Sequence, residues 1–444
     1  MRMDEYLRTV TEQVRCSKIH DSIAEELKDH ILDQAEAFEE EGTDHEQALE
    51  LAVREMGDPV ETGVALDRIH RPHMSVEMLV LVSLISVLSL VFYGAMLFLA
   101  GDNSINGMEY WFHQQVKYTV TGFLLMLLVC RIDYSVLGKW SRQIAGGILL
   151  FILLSLVTGV QVYGRIYGLR VGPVMIPTFG MIWLYVPAYA AVLYTYRGRS
   201  YKGLTGLLIW TLLPVFLVLR LPGLNQAVML LFTCLLLFSI AVGKGWYQVS
   251  PRKMLAAVWG MMILAPAMML GTGMLAEYQV KRLQAWLGYG EPSYAAQTAY
   301  ECLRTSRLLG ASGNHVWQKL PGWNSEYILV SLTSAYGLLA AVTAVALLLL
   351  LWVKMFHISS HQKNQLGMMV GYGCSMVLLA QSGLVLAMNL GLLPSAAITI
   401  PFFSAGGSNM VSSYILTGLV LSIYRYKDIL PGNPVKRMHS ASAE

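Results

Sequence analysis

From Met1 to about residue 72 the apolar positions recur at helical spacing between charged ones. Ile23, Leu27, Ile31, Ala35 and Phe38 fall on one face, the three-and-four step of an amphipathic helix. Breaks at Ser17, Gly42 and Gly57-Asp58-Pro59 divide the stretch into three or four short helices. Asp44 is placed to cap the helix carrying Ala48, Leu51 and Ala52, and Asp58 reads as a cap followed by proline at the first helical position. After Pro72 the pattern changes abruptly. Apolar runs near 78–100, 116–132, 144–163, 174–194, 203–219, 226–243, 254–275, 327–353, 366–390 and 408–424 each approach the roughly 20 residues that cross a bilayer core as a helix. Pro173 and Pro177 interrupt the start of the fourth, so the segment before it reads as re-entrant. The expected fold is all-α: a polytopic membrane protein of about ten transmembrane helices with a small soluble N-terminal helical bundle. The domains are 1–73, a membrane domain 74–430 with a large connection at 276–326, and a tail 431–444.

Composition agrees with a bilayer as main solvent. Hydrophobic residues make up 55% of the chain and charged ones only 14%, against about a quarter charged in a soluble protein. The charge is unevenly divided. Residues 1–75 hold 8 Lys/Arg and 19 Asp/Glu, the rest 24 Lys/Arg and 10 Asp/Glu. Alternate connections carry Arg131, Lys139 and Arg142; Arg197, Arg199 and Lys202; Lys244, Arg252 and Lys253; Lys354 and Lys363; and a tail with Arg425, Lys427, Lys436 and Arg437. Positive connections face the cytoplasm, which places both termini inside and the 276–326 connection outside. The acidic start lacks the basic and short apolar regions of a cleaved signal peptide. Cys16, Cys130, Cys234, Cys302 and Cys374 are scattered without metal or disulfide spacing. No basic stripe or glycine-rich phosphate loop points to nucleic acid or nucleotide.

Under this topology six acidic residues face outward: Asp102, Glu109, Glu277, Glu291, Glu301 and Glu326. Glu326 follows Leu320-Pro321 at the start of a predicted span, where low dielectric raises a carboxyl pKa toward the range of a general base. The other reading is a carboxylate that caps a helix N-terminus.

The stretch LPGWNSEYILVSLTSAYGLLAA (320–341) resembles the signature of the shape, elongation, division and sporulation family, in which Leu-Pro leads to Thr-Asp-Phe-Ile-Phe, then Glu-Glu and Gly. Leu320, Pro321, Ile328 and Gly337 match, Ser325 replaces Thr, Tyr327 and Leu329 replace the two Phe, and Glu326 stands where the family has its catalytic Asp. MNLGLLPSAAITIPFFSAGGSNMVSSYILTGLVLSI (388–423) resembles its later blocks through Asn389, Gly391, Leu392, Pro394, Pro401, Phe402, Ser404, Gly406, Gly407 and Ser408. Weaker matches are Ile132-Asp133-Tyr134, Tyr278 with Arg282, and Tyr294 to Gln297. The acidic run before Gly57-Asp58-Pro59 resembles a helical prefix domain of bacterial membrane proteins. The chain departs from the pattern at Ser334-Ala335, in place of Glu-Glu, at Ile176 to Phe179, at Pro222 to Asn225, in a glycine-rich turn reduced to Gly310 and Gly313, and at Ala405, in place of Tyr.

The resemblance implies a glycosyltransferase of the bacterial cytoplasmic membrane that polymerises lipid II beside a class B penicillin-binding protein, in cell shape, division or sporulation. Glu326 would be catalytic. The implied substrate contacts are Arg282, Ser325, Pro321, Asn389, Pro401, Ser404, Gly406, Gly407 and Ser408. Arg282 leads the cations facing the pyrophosphate because guanidinium forks match phosphate oxygens, with Lys281, Arg304, Arg307 and Lys319 behind it. A divalent cation accompanying the pyrophosphate is the one cofactor considered. For the glycine and serine string the alternative is a tight turn feeding the last span. A non-catalytic scaffold for a transpeptidase and a flippase for the lipid-linked precursor stay open.

Overall fold

A computed structural model describes residues 1–427 and 429, apart from 71, 101–106, 163–164, 173, 222, 272–276 and 313–315. Asp102, Pro173, Pro222, Gly313, Lys436 and Arg437 therefore lie outside the described residues, as does the side chain of Tyr278. The chain divides into two compact units, Met1–Met74 with Tyr424–Glu444, and Ser75–Ile423.

The first unit is built from α1 (Met3–Gln13), α2 (His20–Glu40), α3 (His45–Glu55) and α4 (Pro59–His70). Its core joins Tyr6, Val10, Ile31, Ala48 and Ala52, with Ile429 packed against it. The Tyr6 hydroxyl donates to the Met56 carbonyl at 3.1 Å, and the Asp67 carboxylate accepts the Arg15 N–H at 2.9 Å. Asp58 caps α4, its Oδ1 accepting from Val60 N at 2.7 Å and Glu61 N at 3.2 Å. Asp44 occupies the N-cap of α3 with extended dihedrals, but its carboxylate makes no capping bond; sequence position fixed the helix start and not the side-chain rotamer.

The second unit is mainly helical: α5 (Val76–Ala100), α6 (Met108–Arg131), the short α7 (Ser135–Lys139), α8 (Ser141–Thr158), α9 (Thr178–Trp183), α10 (Tyr185–Thr195), α11 (Thr205–Arg220), α12 (Leu224–Gly243), α13 (Pro251–Gly271), α14 (Glu277–Trp286), α15 (Tyr294–Arg304), α16 (Ile328–Tyr336), α17 (Leu338–Ser360), α18 (Gln365–Asn389) and α19 (Gly407–Arg425). Among the described residues seven stretches are long and apolar enough to span: Val76–Phe98, Ser141–Thr158, Thr178–Thr195, Tyr201–Arg220, Leu224–Gly243, Leu338–Ser360 and Gln365–Asn389. The other three predicted runs fall on α6, α13 and α19, helices of 24, 21 and 19 residues.

α10 and α18 form the centre, packed on each other, with α8 and α12 against α10. Every residue of α10 from Tyr185 to Leu193 is buried. The outer helices turn Leu, Val, Ile and Phe outward, as at Val80, Leu84, Val87 and Val91 of α5 and Leu208, Ile209 and Phe216 of α11. An apolar exterior around satisfied helical backbone is what hydrocarbon requires.

Two expected spans are corrected. The third ends at Thr158, and the residues expected to continue it or to re-enter form an antiparallel meander of β1 (Val160–Val162), β2 (Arg165–Val171) and β3 (Val174–Pro177). β-branched residues at Val160, Ile166 and Ile176 suit a pleated surface. The eighth starts with α16 at Ile328 but is not one continuous helix. It breaks at Gly337 (φ 97°) into α16 and α17, and a Cβ there would stand 2.7 Å from the Leu308 carbonyl oxygen. The 307–312 segment runs beside the break. Leu338 N and Leu339 N donate to the carbonyls of Arg307 (2.9 Å) and Leu308 (3.2 Å), while Gly310 N and Ser312 N donate to those of Tyr336 (3.0 Å) and Ser334 (2.9 Å).

The connections of this unit gather at two ends. Ile132, Tyr134, Arg142, Tyr196 and Ser422 meet at one, where Ser422 Oγ donates to the Ile132 carbonyl and accepts from Tyr134 N. Residues 320–327, 389–395 and 401–406, with α14, make up the other.

Candidate functional site

Glu326 is half-buried in a run of tight turns. Leu320 is buried and Pro321 exposed. Trp323 N donates to Leu320 O (3.2 Å), and both Ser325 N and Tyr327 N donate to Gly322 O (3.0 Å each). Trp323 packs edge-on to Trp317 at 5.7 Å between centroids.

Three successive carbonyls of this segment are captured from outside it. Asn324 O accepts from the Tyr93 hydroxyl at 2.9 Å and from Ala405 N at 2.8 Å. Ser325 O accepts from Ser404 Oγ at 2.7 Å. Glu326 O accepts from Asn389 Nδ2 at 2.8 Å, while Asn389 Oδ1 receives Val330 N at 3.3 Å. Asn389 therefore supplies an acceptor to one of the first-turn N–H groups that a helix leaves without an internal partner. Asn389 and Ser404 are almost fully buried, at 7% and 2% exposure, and their polar atoms are engaged with backbone.

The 401–408 block is itself held in an uncommon conformation. Pro401 is buried. Phe402 has φ 65°, a left-handed value that costs a non-glycine residue about 1–3 kcal/mol. Its carbonyl accepts from Ser89 Oγ at 2.9 Å and Gln115 Nε2 at 3.1 Å, and its ring meets Tyr414 edge-on at 4.9 Å. Gly406 N donates to Ser404 O at 2.8 Å. Gly407 opens α19 where the Tyr118 ring leaves no room for a Cβ, which would lie 2.5 Å from Cζ. Ser408 packs against Gly180, and its carbonyl accepts from Ser412 Oγ at 2.8 Å. Ser404 Oγ and Gly406 N thus build a tight turn feeding α19.

Arg282 is exposed on α14, one Nη donating to Ser395 O at 3.0 Å; a guanidinium has five N–H donors, so others remain for a ligand. Trp286 Nε1 donates to Gly391 O at 3.3 Å, so α14 lies across the 389–395 turn. Between them opens a cleft of 490 Å³ lined by Arg282, Trp286, Tyr300, Tyr327, Asn389 and Pro394 among others. Glu291 and Lys281 also line it, Lys281 paired with Glu277 at 2.6 Å. Glu326 stands next to this cleft and not in its lining, and Arg304, Arg307 and Lys319 are exposed elsewhere on the same connection.

Tyr327 links the two groups the sequence singled out. Burial raises its phenol pKa, and the Glu326 charge raises it further, against a hydrogen bond to Ser395 and the Arg282 cation. Sequence reasoning treated Tyr327 as a stand-in for Phe and passed over Ser395; the one signal available was a hydroxyl where the family pattern has none. Ser334, at the first of the two missing glutamates, is fully buried, with Oγ 2.8 Å from that of Ser312. The neighbouring Cys302 thiol is pushed up to about 11 by burial, with the Ser334 bond opposing and the Glu301 charge adding.

The family described as cell cycle protein, FtsW/RodA/SpoVE, matches residues 75–429. The probable peptidoglycan glycosyltransferase FtsW of Legionella pneumophila is 23% identical over 364 residues, covering 76% of this chain and 89% of its own length. The FtsW of Bacillus subtilis, described in the same words, is 24% identical over 332 residues, 71% of this chain and 81% of its own. A chain from a peptidoglycan synthase complex, described as coordinating polymerization and crosslinking, superposes with TM-score 0.65 at 22% identity, over 79% of this chain and 98% of that one. The rod shape determining protein RodA of Thermus thermophilus gives 0.57 at 19%, over 80% and 97%. Since the matched stretch runs from α5 through both signature blocks to the end of α19, the chain belongs to the FtsW/RodA/SpoVE family of cell cycle proteins.

Proposed function

We propose that this protein polymerises lipid II into glycan strands at the outer face of the bacterial cytoplasmic membrane, with both its termini inside and a class B penicillin-binding protein beside it. The observation that carries the reading is the triple capture of the 324–326 backbone by Tyr93, Ser404 with Ala405, and Asn389, next to a cleft lined by Arg282. A carboxylate on so constrained a backbone meets the geometric demand of general-base catalysis.

In the reaction the 4-hydroxyl oxygen of the incoming sugar attacks the anomeric carbon at the reducing end of the growing chain. The bond from that carbon to pyrophosphate breaks, and polyprenyl pyrophosphate leaves with the electron pair. Glu326 takes the hydroxyl proton. Arg282 faces the charge developing on the diphosphate, where a preorganised cation contributes most. A divalent cation, where one takes part, would accompany the diphosphate oxygens of the substrate. The names carried by the relatives support the same chemistry.

Purified protein supplied with lipid II is expected to form glycan polymer, and Glu326→Gln to lower the rate at least a hundredfold, about 3 kcal/mol of barrier. Equal rates would remove Glu326 from the mechanism. A second reading, a non-catalytic scaffold for a transpeptidase, is favoured by one observation: where the family pattern has Glu-Glu, Ser334 is closed onto Ser312. Co-purification of a penicillin-binding protein without any polymer would select it.

A further inference from the structure

At the end of the bundle away from Glu326, two turns are zipped together. Gly198 N donates to Trp246 O at 2.8 Å, and Gln248 N to Arg199 O at 3.0 Å. Ser250 N donates to the Tyr201 hydroxyl at 2.8 Å, and Ser200 and Gln248 form an isolated bridge. The Tyr247 hydroxyl ties the pair to α10 through Leu193 O at 3.1 Å. Tyr196, Trp246 and Tyr247 are buried in this platform.

Three exposed guanidiniums lie on it. Arg197 stands over the rings of Tyr194 (5.0 Å) and Trp246 (5.3 Å). Arg199 and Arg142, from different connections, share the single Tyr196 ring at 4.5 and 5.4 Å. Lys202 and Lys244 are exposed on the same turns. Between Asp133 and Glu277 the chain has no acidic residue and 11 Lys/Arg. Like charges drawn to one ring raise each other's energy, and an anion seated among them lowers it. Stacking also restricts each guanidinium before a ligand arrives, so less order is lost on binding. Trp140 and Tyr201, about half exposed on either side, are the amphipathic rings that settle at headgroup depth.

We propose that the paired 196–201 and 244–250 turns, with Arg142, Arg197 and Arg199, form a binding site for the phosphate of an anionic phospholipid headgroup. Planar N–H forks suit the phosphodiester oxygens, and a basic recess between helices at the interface is where such headgroups are held. Loose snorkelling cations would attract negative lipid in proportion to charge alone; a built site depends on the ring that positions them.

The full-length protein in neutral detergent is titrated with short-chain phosphatidylglycerol, short-chain phosphatidylcholine and inorganic phosphate, with bound lipid counted by native mass spectrometry and thermal unfolding followed alongside. Phosphatidylglycerol is expected to bind at least tenfold tighter than phosphatidylcholine. The combined change Arg142→Gln, Arg197→Gln, Arg199→Gln weakens it on the order of a hundredfold, from about one factor of five per cation. Tyr196→Leu, which keeps every charge, weakens it several-fold, and Tyr196→Phe does not. Equal binding of the two lipids overturns the proposal. So does an equal loss when Arg304, Arg307 and Lys319 are neutralised instead, which would reduce the effect to bulk charge. Stabilisation by inorganic phosphate equal to that by phosphatidylglycerol would reassign the site to a soluble anion. Should the triple variant fail to fold, the contrast between Tyr196→Leu and Tyr196→Phe decides alone.

Discussion

The two ends of the membrane unit solve opposite problems with the same kinds of residue. Near Glu326 side chains hold backbone: Tyr93, Asn389 and Ser404 each donate to a carbonyl of the 324–326 run, and Gln115 and Ser89 to that of Phe402. At the other end backbone holds side chains: two turns pair through their own N–H and C=O groups and carry arginines over the buried Trp246 and Tyr196 rings. Polar atoms at the first end are consumed by positioning, so what a ligand meets there is set by a few groups such as Arg282 and Tyr327. At the second the charges themselves are the surface.

The contrast breaks most readily at glycines. Gly337→Ala meets both a left-handed φ and the Leu308 carbonyl at 2.7 Å, and is expected to cost on the order of 3 kcal/mol or more, since strain and a clash with backbone combine. Gly198→Ala has a similar φ of 76° but open space around its Cβ, so only about 1 kcal/mol of strain applies. Thermal or denaturant unfolding in matched detergent measures both, and equal losses would end the claim that the two ends are built differently.

Asn389→Leu comes next. It leaves Glu326 O and Val330 N without their partner, at about 1–3 kcal/mol for each buried group. The turnover of lipid II is expected to fall at least tenfold while its KM changes little, because the carboxylate loses its placement and the cleft keeps its walls. Gln115→Leu is milder, about 1 kcal/mol, since Ser89 still donates to Phe402 O; a loss as large as that for Asn389→Leu would show Gln115 to act more directly. Tyr327→Phe is smallest. A phenol whose pKa is raised stays protonated at neutral pH, so removing its hydroxyl costs about 1 kcal/mol or less, and the pH–rate profile is expected to keep its shape below about pH 10. A lost basic limb in that profile would make Tyr327 the titrating group.

The apolar runs that became the seven span-length helices among the described residues were legible because few other patterns imitate a long stretch almost without charge. The helical head, expected as three or four short helices and found as four, was legible for the opposite reason, its alternation being strict enough to show a face. The meander at 160–177 was not, since a short run such as Val174 to Pro177 is equally a helix start or a strand. Nor was the break at Gly337, because Leu338, Leu339 and Ala340 continue the apolar pattern without a pause. Around Glu326 the sequence supplied the residue types and left their use open. Asn389 and Ser404 stand out as polar groups in an apolar stretch, but whether they face a sugar or a carbonyl depends on contacts made across 63 and 79 residues. The arginines of the opposite end were readable as topology; that Arg142 and Arg199 converge on one ring is a fact of packing.

The 307–312 segment beside the helix break makes a long connection part of a helix joint. Leu338 and Leu339 find acceptors in Arg307 and Leu308, residues that belong to the long connection preceding them. The α16–α17 joint therefore reaches its final form only with that segment lying beside it. Without it the first N–H groups of α17 lose their acceptors, so the folding of the connection and the closing of the joint are coupled.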